Sequence, residues 1–130
     1  MFDKVDWEKI VNELLPLIDE WKVLILKIYI SDVAMIWKIY YSKNGTDFID
    51  LDDEVEFDDP GLVSFEWVFL DETGKIAGSL PEGEATLLTM IVKDTGEIKI
   101  NHWESNQFEQ MTSDEIDRLL EIDKNDLSNI

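Results

Sequence analysis

Carboxylate side chains crowd one stretch in the middle of the chain, where they occupy seven of ten consecutive positions. We call positions 50–59 the acidic loop. Clustered carboxylates can attract a basic protein surface, bind a hard cation or, as a pair, carry out acid–base catalysis. The seven acids and the aromatic residue among them are Asp50, Asp52, Asp53, Glu54, Glu56, Phe57, Asp58 and Asp59.

The spacing within the acidic loop argues against an EF-hand calcium site. A loop of that kind beginning at Asp50 would have acids at its first, third and fifth positions. Its sixth position needs glycine and is Val55, and its twelfth needs glutamate and is Gly61. We therefore predict no metal and no other cofactor, with weak calcium binding by the acidic loop as the alternative.

The residue types that usually carry out nucleophilic or metal-assisted catalysis are scarce. There is no cysteine, and His102 is the only histidine, so neither a cysteine-based nor a two-histidine metal site can form. His102 shares the apolar phase of Ile98 and Ile100, which favours a structural role. We predict that the protein is not an enzyme; a hydrolase that uses two of the many carboxylates is the alternative.

The overall charge limits the kinds of partner. Thirty acidic residues against eleven Lys and Arg give a formal charge of −19 over 130 residues. Nucleic acids and anionic membranes would be repelled, because both are bound through clustered Lys and Arg. The 45% of apolar residues is enough for a core, so the acidity does not indicate disorder. The charge predicts a basic protein partner.

The length and the apolar pattern predict one domain over residues 1–130. The longest apolar stretch, Val23–Ile39, is interrupted by Lys27, Asp32 and Lys38, so it is too charged to span a bilayer. The first residues lack the basic region and apolar core of a signal peptide. These features predict a cytoplasmic protein without a membrane segment.

The first part of the chain has the pattern of a helix followed by three strands. Apolar residues recur with helical spacing over Asp6–Asp19, and Pro16 should end or kink that helix near Leu15. Asn44-Gly45 is typical of a tight hairpin turn. The three predicted antiparallel strands are Trp21–Ile30, Val33–Ser42 and Phe48–Leu51.

The second part is predicted to contain more strands and a final helix. Asp59-Pro60-Gly61 is interpreted as a turn. Thr112 and Glu115 form a capping box at the start of a helix that runs to about Ile122. The predicted strands are Val63–Leu70, Lys75–Ala77, Thr86–Lys93 and Glu97–Trp103. The fold class is therefore α+β: an antiparallel sheet of about five or six strands, the N-terminal helix on one face, and a short C-terminal helix beside the sheet or at an edge.

The tryptophans divide by their phase in the predicted helix and strands. Trp7, Trp37 and Trp67 share the apolar phase of their neighbours, which predicts that they lie in the core. Trp103 falls on the same face as Glu97, which makes it a candidate exposed anchor for a partner.

Several segments together resemble the YezG family of bacterial immunity proteins. The proline-broken first helix is followed by Glu20-Trp21-Lys22-Val23 and by Tyr40-Tyr41-Ser42-Lys43, and the later hairpin turns at Asp94-Thr95-Gly96. Members of this family are small acidic proteins that neutralise secreted nuclease toxins. The resemblance also implies a long helix between the two hairpins, where the alternation of Val63–Leu70 predicts a strand.

These features together predict an immunity protein that binds a cationic toxin domain, in particular a nuclease, and blocks its active site or substrate groove. The acids of the acidic loop would face Lys and Arg side chains of the toxin. Phe57 or Trp103 would supply the buried anchor. The alternative function is a general acidic interaction domain, including a DNA mimic that occupies nucleic-acid-binding proteins.

Overall fold

The computed structural model describes residues 4–31, 34–80, 84–104 and 112–128, with the side chains of residues 102–104 and 125 outside the description. Within these ranges the chain forms a five-stranded antiparallel sheet and four α-helices. The strands are β1 (Val23–Ser31), β2 (Met35–Ser42), β3 (Phe48–Asp50), β4 (Ala85–Lys93) and β5 (Ile98–Glu104). The helices are α1 (Trp7–Leu14), α2 (Pro60–Ala77), α3 (Ser113–Leu119) and α4 (Lys124–Ser128). The predicted α+β class is confirmed.

The sheet is built from the two predicted groups of strands. Its strand order is β3-β2-β1-β4-β5, so the first three strands form a meander and the last two a hairpin beside β1. Gly45 has a φ of 88° and Gly96 a φ of 95°, conformations that glycine adopts without the steric cost other residues carry. Both predicted turns therefore join antiparallel strands, but the first is a five-residue connection over residues 43–47 in which Asn44 has no positive φ, so the tight two-residue turn predicted at Asn44-Gly45 is wrong.

The central strand β1 is buried along its whole length because both faces of the sheet are covered. One face packs on α1 and α2; the other packs on α3 through Ile116 and Leu120. Helix α3, which corresponds to the predicted C-terminal helix, thus covers the second face of the sheet and does not lie at an edge. The β1 residues on the first face, as the alternation predicts, are Leu24, Leu26, Ile28 and Ile30.

The first helix begins and ends where the sequence predicts a cap and a break. The Asp6 side chain accepts a hydrogen bond from the backbone N–H of Lys9, at 3.1 Å, and so caps α1. A 3₁₀ turn over Leu15–Leu17 follows directly, with Pro16 in its first positions. Proline fits there because the first turn of a helix has no use for its missing N–H.

The segment Val63–Leu70 is helical, so the predicted strand is wrong, and Lys75–Ala77 belongs to the same helix, α2. The buried residues of α2 recur with helical spacing, and Phe69 packs against Trp37 of β2 with the ring centroids 5.0 Å apart and the ring planes inclined by 53°. The alternation misled because α2 is apolar on both its inner and its outer side. The buried residues of α2 are Leu62, Phe65, Phe69, Glu72, Thr73 and Ile76.

A buried carboxylate joins α2 to the start of α1. Glu72 Oε1 accepts hydrogen bonds from Lys75 Nζ and from the backbone N–H of Asp6, each at 2.8 Å. The bond from Lys75, followed by the one from Asp6, holds the pKa of the Glu72 carboxyl below its usual value. The same contact raises the pKa of Lys75. Glu72 is therefore a fixed structural anion.

A buried ion pair holds the C-terminal segment against the sheet. Lys27, in the middle of β1, lies 2.7 Å from Asp126 Oδ2 of α4, and both side chains are almost fully buried. Lys27 Nζ also donates a hydrogen bond of 2.8 Å to the backbone carbonyl of Glu121. Beside this pair, the Tyr40 hydroxyl donates one of 2.9 Å to the carbonyl of Leu120. These bonds fix residues 120–126 across the second face.

Among the helices of the described ranges, none combines the length and the apolar composition that crossing a membrane requires.

Candidate functional site

The acidic loop follows β3, and hydrogen bonds within the loop hold its first residues in a defined turn. The Asp50 side chain accepts a hydrogen bond of 3.0 Å from the N–H of Asp52, which starts a short 3₁₀ turn over Leu51–Asp53. Leu51 is buried in the core and fixes the turn from below. The N–H groups of Glu54 and Val55 both donate to the Leu51 carbonyl at 3.0 Å. The acids therefore project from a defined turn.

The acidic loop ends as the cap of α2, so the turn predicted at Asp59-Pro60-Gly61 is in fact a helix start. Asp59 Oδ1 accepts from the N–H groups of Gly61 at 2.8 Å and of Leu62 at 3.3 Å. Pro60 occupies the first helical position, where its fixed φ suits the helix. A Cβ atom at Gly61 would lie 2.9 Å from Leu17 Cδ2, so a larger residue there would require the Leu17 side chain to shift.

The seven carboxylates fall into two groups. Asp50 lies 3.4 Å from Lys38 Nζ and is half-buried, and Asp59 caps α2, so both have structural roles. Within the part of the chain that the structure describes, the ion pairs of the acidic loop are limited to this Lys38–Asp50 contact. The five remaining carboxylates are exposed: Asp52, Asp53, Glu54, Glu56 and Asp58.

The aromatic residue of the acidic loop projects into solvent. Phe57 is 87% exposed, the largest value among the exposed apolar side chains of the described residues. A single exposed apolar residue is ordinary on a protein surface. Phe57 is different in that further exposed apolar side chains lie on α2, the helix that directly follows.

The outer side of α2 carries a strip of exposed apolar residues. Trp67 is 73% exposed, Val63 41% and Leu70 42%. Positions separated by three and four residues lie on the same side of a helix, so the three form one row, which we call the α2 strip. The prediction that Trp67 lies in the core is wrong. Once α2 is helical, the burial of Phe65 and Phe69 leaves Trp67 on the outer side.

Two shallow depressions join the α2 strip to the acidic loop. One is lined by the α2 strip and Glu66; the other is lined by loop residues, Leu62 and the same Glu66. We call the two together the α2–loop groove. Its floor is apolar and its border is acidic. The loop residues that line it are Asp52, Val55, Glu56 and Phe57.

Trp67 is the exposed tryptophan of the described residues, whereas the strand pattern predicts Trp103 as the exposed anchor. Trp103 lies in β5 opposite Leu87 of β4, and its side chain, like that of His102, is outside the described residues. The backbone places β5 at the opposite edge of the sheet from β3, where the acidic loop begins. Four strand spacings of about 4.8 Å separate these edges by roughly 19 Å. The signal for Trp67 was its helical spacing from Val63 and Leu70.

The electrostatic effect of the carboxylates is evident at Tyr40, which lies between the acidic loop and the C-terminal segment. Burial, followed by the negative charges of Asp50, Glu121, Asp126 and Asp52, raises the pKa of the Tyr40 hydroxyl to about 12.

For the described residues, no group of three or more His, Cys, Asp or Glu side chains converges in a way that could hold a metal ion. The arrangement is suited to attracting positive charge over a broad area.

Neither a protein-family model nor a curated protein matches the chain.

Proposed function

We propose that the protein is an immunity protein that binds a cationic toxin domain, in particular a nuclease, and blocks its substrate groove or active site. The observation that carries the proposal is the group of five exposed carboxylates of the acidic loop, Asp52 to Asp58, beside the exposed Phe57 and Trp67. Charge that is not used inside the protein is available to a partner. In this proposal the protein acts in the cytoplasm and performs no catalytic step.

A nuclease suits such a surface because it must present Lys and Arg to the phosphates of its substrate. Carboxylates of the acidic loop would occupy the positions of those phosphates. Opposite potentials raise association rates by about 10- to 1,000-fold, and exposed aromatic residues supply the buried contacts that slow dissociation. In this proposal the exposed carboxylates speed association with the toxin, and the exposed aromatic residues slow dissociation from it.

The resemblance to the YezG family adds support from the fold. It implies a long helix between the two hairpins, and α2, with eighteen residues, occupies that place in the chain. One departure from the family pattern, the strand predicted at Val63–Leu70, was a mistake. Two others remain, because Ala85 and His102 stand where the family has a tryptophan and another aromatic residue. The resemblance supports an immunity role; it assigns no residue of the interface.

The proposal is tested with the toxin domain encoded beside this chain, if the neighbouring gene encodes a secreted protein with a basic C-terminal domain. The purified toxin domain is assayed for degradation of DNA and RNA with and without an equimolar amount of this protein. We expect a one-to-one complex in size-exclusion chromatography and loss of the nuclease activity. Undiminished nuclease activity together with no complex would refute the proposal.

The same purified chain, used as bait in a lysate, distinguishes the alternative function. A DNA mimic should recover several unrelated nucleic-acid-binding proteins, whereas an immunity protein should recover one basic domain.

A further inference from the structure

The α2 strip is an apolar helix surface without a partner in the described structure. Residues 63 and 70 are seven positions apart, which corresponds to about 10 Å along a helix axis. Along this length Val63, Trp67 and Leu70 all face outward, while Phe65 and Phe69 fill the inner side. A helix that is apolar on both sides normally has both sides covered. The inner side of α2 packs on the core of the protein, and the apolar outer side therefore indicates a surface that contacts another molecule.

The surroundings of the α2 strip limit what can cover it. Glu66 borders both depressions of the α2–loop groove, Asp52 and Glu56 line its loop side, and the exposed Asp71 follows Leu70. Within the described residues, no Lys or Arg lines either depression. An occupant must therefore bring apolar side chains for the floor and positive charges for the border.

A second copy of this chain is a poor occupant of the groove. Each copy has a formal charge of −19, and pairing two α2 strips would bring their acidic borders together. Like charges placed close together in an interface cost several kcal/mol. Nucleic acid is disfavoured for the same reason.

We infer that the α2–loop groove binds a basic amphipathic segment of a protein, with Trp67 as the apolar anchor and Asp52, Glu56 and Glu66 facing its Lys or Arg side chains. The inference rests on the proposed function and names the part of the surface that holds the toxin. Trp67 supplies the contact that controls dissociation, since a few large aromatic residues dominate most interfaces. The more distant acids of the loop control association.

The test uses the full chain and two synthetic peptides of equal length and equal positive charge. One places leucine at intervals of three and four residues among lysines so that a helix would have one apolar side; the other has serine in place of every leucine. Binding is measured by the anisotropy of a fluorophore on each peptide. Trp67→Ser removes the anchor. Leu70→Ser and Leu127→Ser form a matched pair, because Leu70 is 42% exposed in the α2 strip and Leu127 is 46% exposed on α4.

We expect the wild-type protein to bind the leucine peptide at least about tenfold more tightly than the serine peptide, as for loss of an interface hot spot. Trp67→Ser should abolish this preference, Leu70→Ser should reduce it, and Leu127→Ser should retain it. Equal binding of the two peptides by the wild-type protein would overturn the inference. A preference that Trp67→Ser leaves unchanged, or that Leu127→Ser loses equally, would also overturn it.

Two further measurements keep the outcomes distinct. Circular dichroism and urea unfolding check each variant, and Val63→Ser replaces Trp67→Ser if the latter is misfolded. Sedimentation of the wild-type protein that shows a dimer abolished by Trp67→Ser would assign the α2 strip to a second copy and refute the basic segment. A peptide preference without inhibition of the toxin nuclease would refute the proposed function alone. Inhibition of the nuclease without any peptide preference would refute this inference alone.

Discussion

The acidic loop and the C-terminal segment 112–128 each expose five carboxylates, but only the C-terminal segment also holds one carboxylate buried against the sheet. In the C-terminal segment Asp126 is buried and bonded to Lys27, a lysine in the middle of the sheet. In the acidic loop five of the seven acids point into solvent. The difference arises from the sheet, because it places the buried Lys27 under the C-terminal segment and, among the described residues, no buried cation under the acidic loop.

This contrast separates carboxylates that hold the fold from carboxylates that are free to act on a partner. A buried charge must be paired, so losing either partner of a buried pair destabilises the protein. Exposed like charges, by contrast, repel one another and oppose folding slightly. The exposed carboxylates of the acidic loop therefore lower the stability slightly, and the proposed function gives them a role outside the fold.

The largest expected effect is on the buried ion pair. Asp126→Ala should lower the free energy of unfolding by about 3–5 kcal/mol, because Lys27 would be left buried with only the exposed carboxylate of Asp123, 3.9 Å away, as a counterion. Asp58→Ala, which removes an exposed acid of the acidic loop, should change it by less than about 0.5 kcal/mol. Urea denaturation of the two variants measures both values.

The double variant Lys27→Met/Asp126→Leu sharpens this result. It should regain part of the lost stability, since apolar residues often replace a buried ion pair without loss. Equal unfolding energies for Asp126→Ala and Asp58→Ala would contradict the distinction between the two regions.

A smaller effect, confined to acidic pH, is expected at Glu72. Its pKa in the folded protein lies below the usual value of about 4.5. A lowered pKa contributes stability above the unfolded-state value, and that stability is lost as the pH falls through the folded-state value. Glu72→Gln should therefore lose stability at neutral pH and show a weaker decline on acidification than the wild-type protein.

Unfolding curves recorded from neutral pH to about pH 3 measure the difference, a range that spans the usual Glu pKa. Glu20→Gln, at an exposed position, is the control and should follow the wild-type pH dependence. Parallel pH profiles for Glu72→Gln and the wild-type protein would show that Glu72 is not a fixed anion.

The smallest effect on stability is expected when charges are removed from the acidic loop. Asp52→Asn, Asp53→Asn and Glu54→Gln combined should change the free energy of unfolding by less than about 0.5 kcal/mol per substitution. Their side chains are exposed and make no ion pair in the described structure. A large loss of stability in urea denaturation would mean that these acids are structural, as Asp126 is.

The sheet and the first helix were predictable because their local signals and their packing agree. The β1 alternation marks the face that is buried against α1 and α2, and Asp6 and Pro16 mark the limits of α1 and the following turn. Helix α2 was not predictable from alternation, since Val63 and Trp67 are apolar although the structure leaves them exposed. Asp59-Pro60 signals a helix start as well as a turn, and the helical reading is the correct one.

The candidate site was only partly predictable. The acidic loop is visible in the composition, but the separation of structural Asp50 and Asp59 from the exposed acids needs their hydrogen bonds. The pairing of Lys27 with Asp126 joins residues 99 positions apart and exists only because the C-terminal segment crosses the sheet. Local sequence patterns do not contain that information.

The most direct test of the central claim, that the acidic loop faces a basic toxin, is the rate at which the neighbouring toxin domain associates with this protein across a range of salt concentrations. Stopped-flow fluorescence compares the wild-type protein with two triple variants of equal net charge. One removes Asp52, Asp53 and Glu54 as above; the other is Asp114→Asn/Asp117→Asn/Glu121→Gln in the C-terminal segment, where all three side chains are exposed.

We predict that the loop variant associates more slowly than the wild-type protein and has a flatter dependence on salt, because nearby opposite charges steer the encounter. The C-terminal variant should stay close to the wild-type protein. Equal slowing of both variants would mean that net charge alone attracts the toxin, and an unchanged rate for the loop variant would contradict the claim.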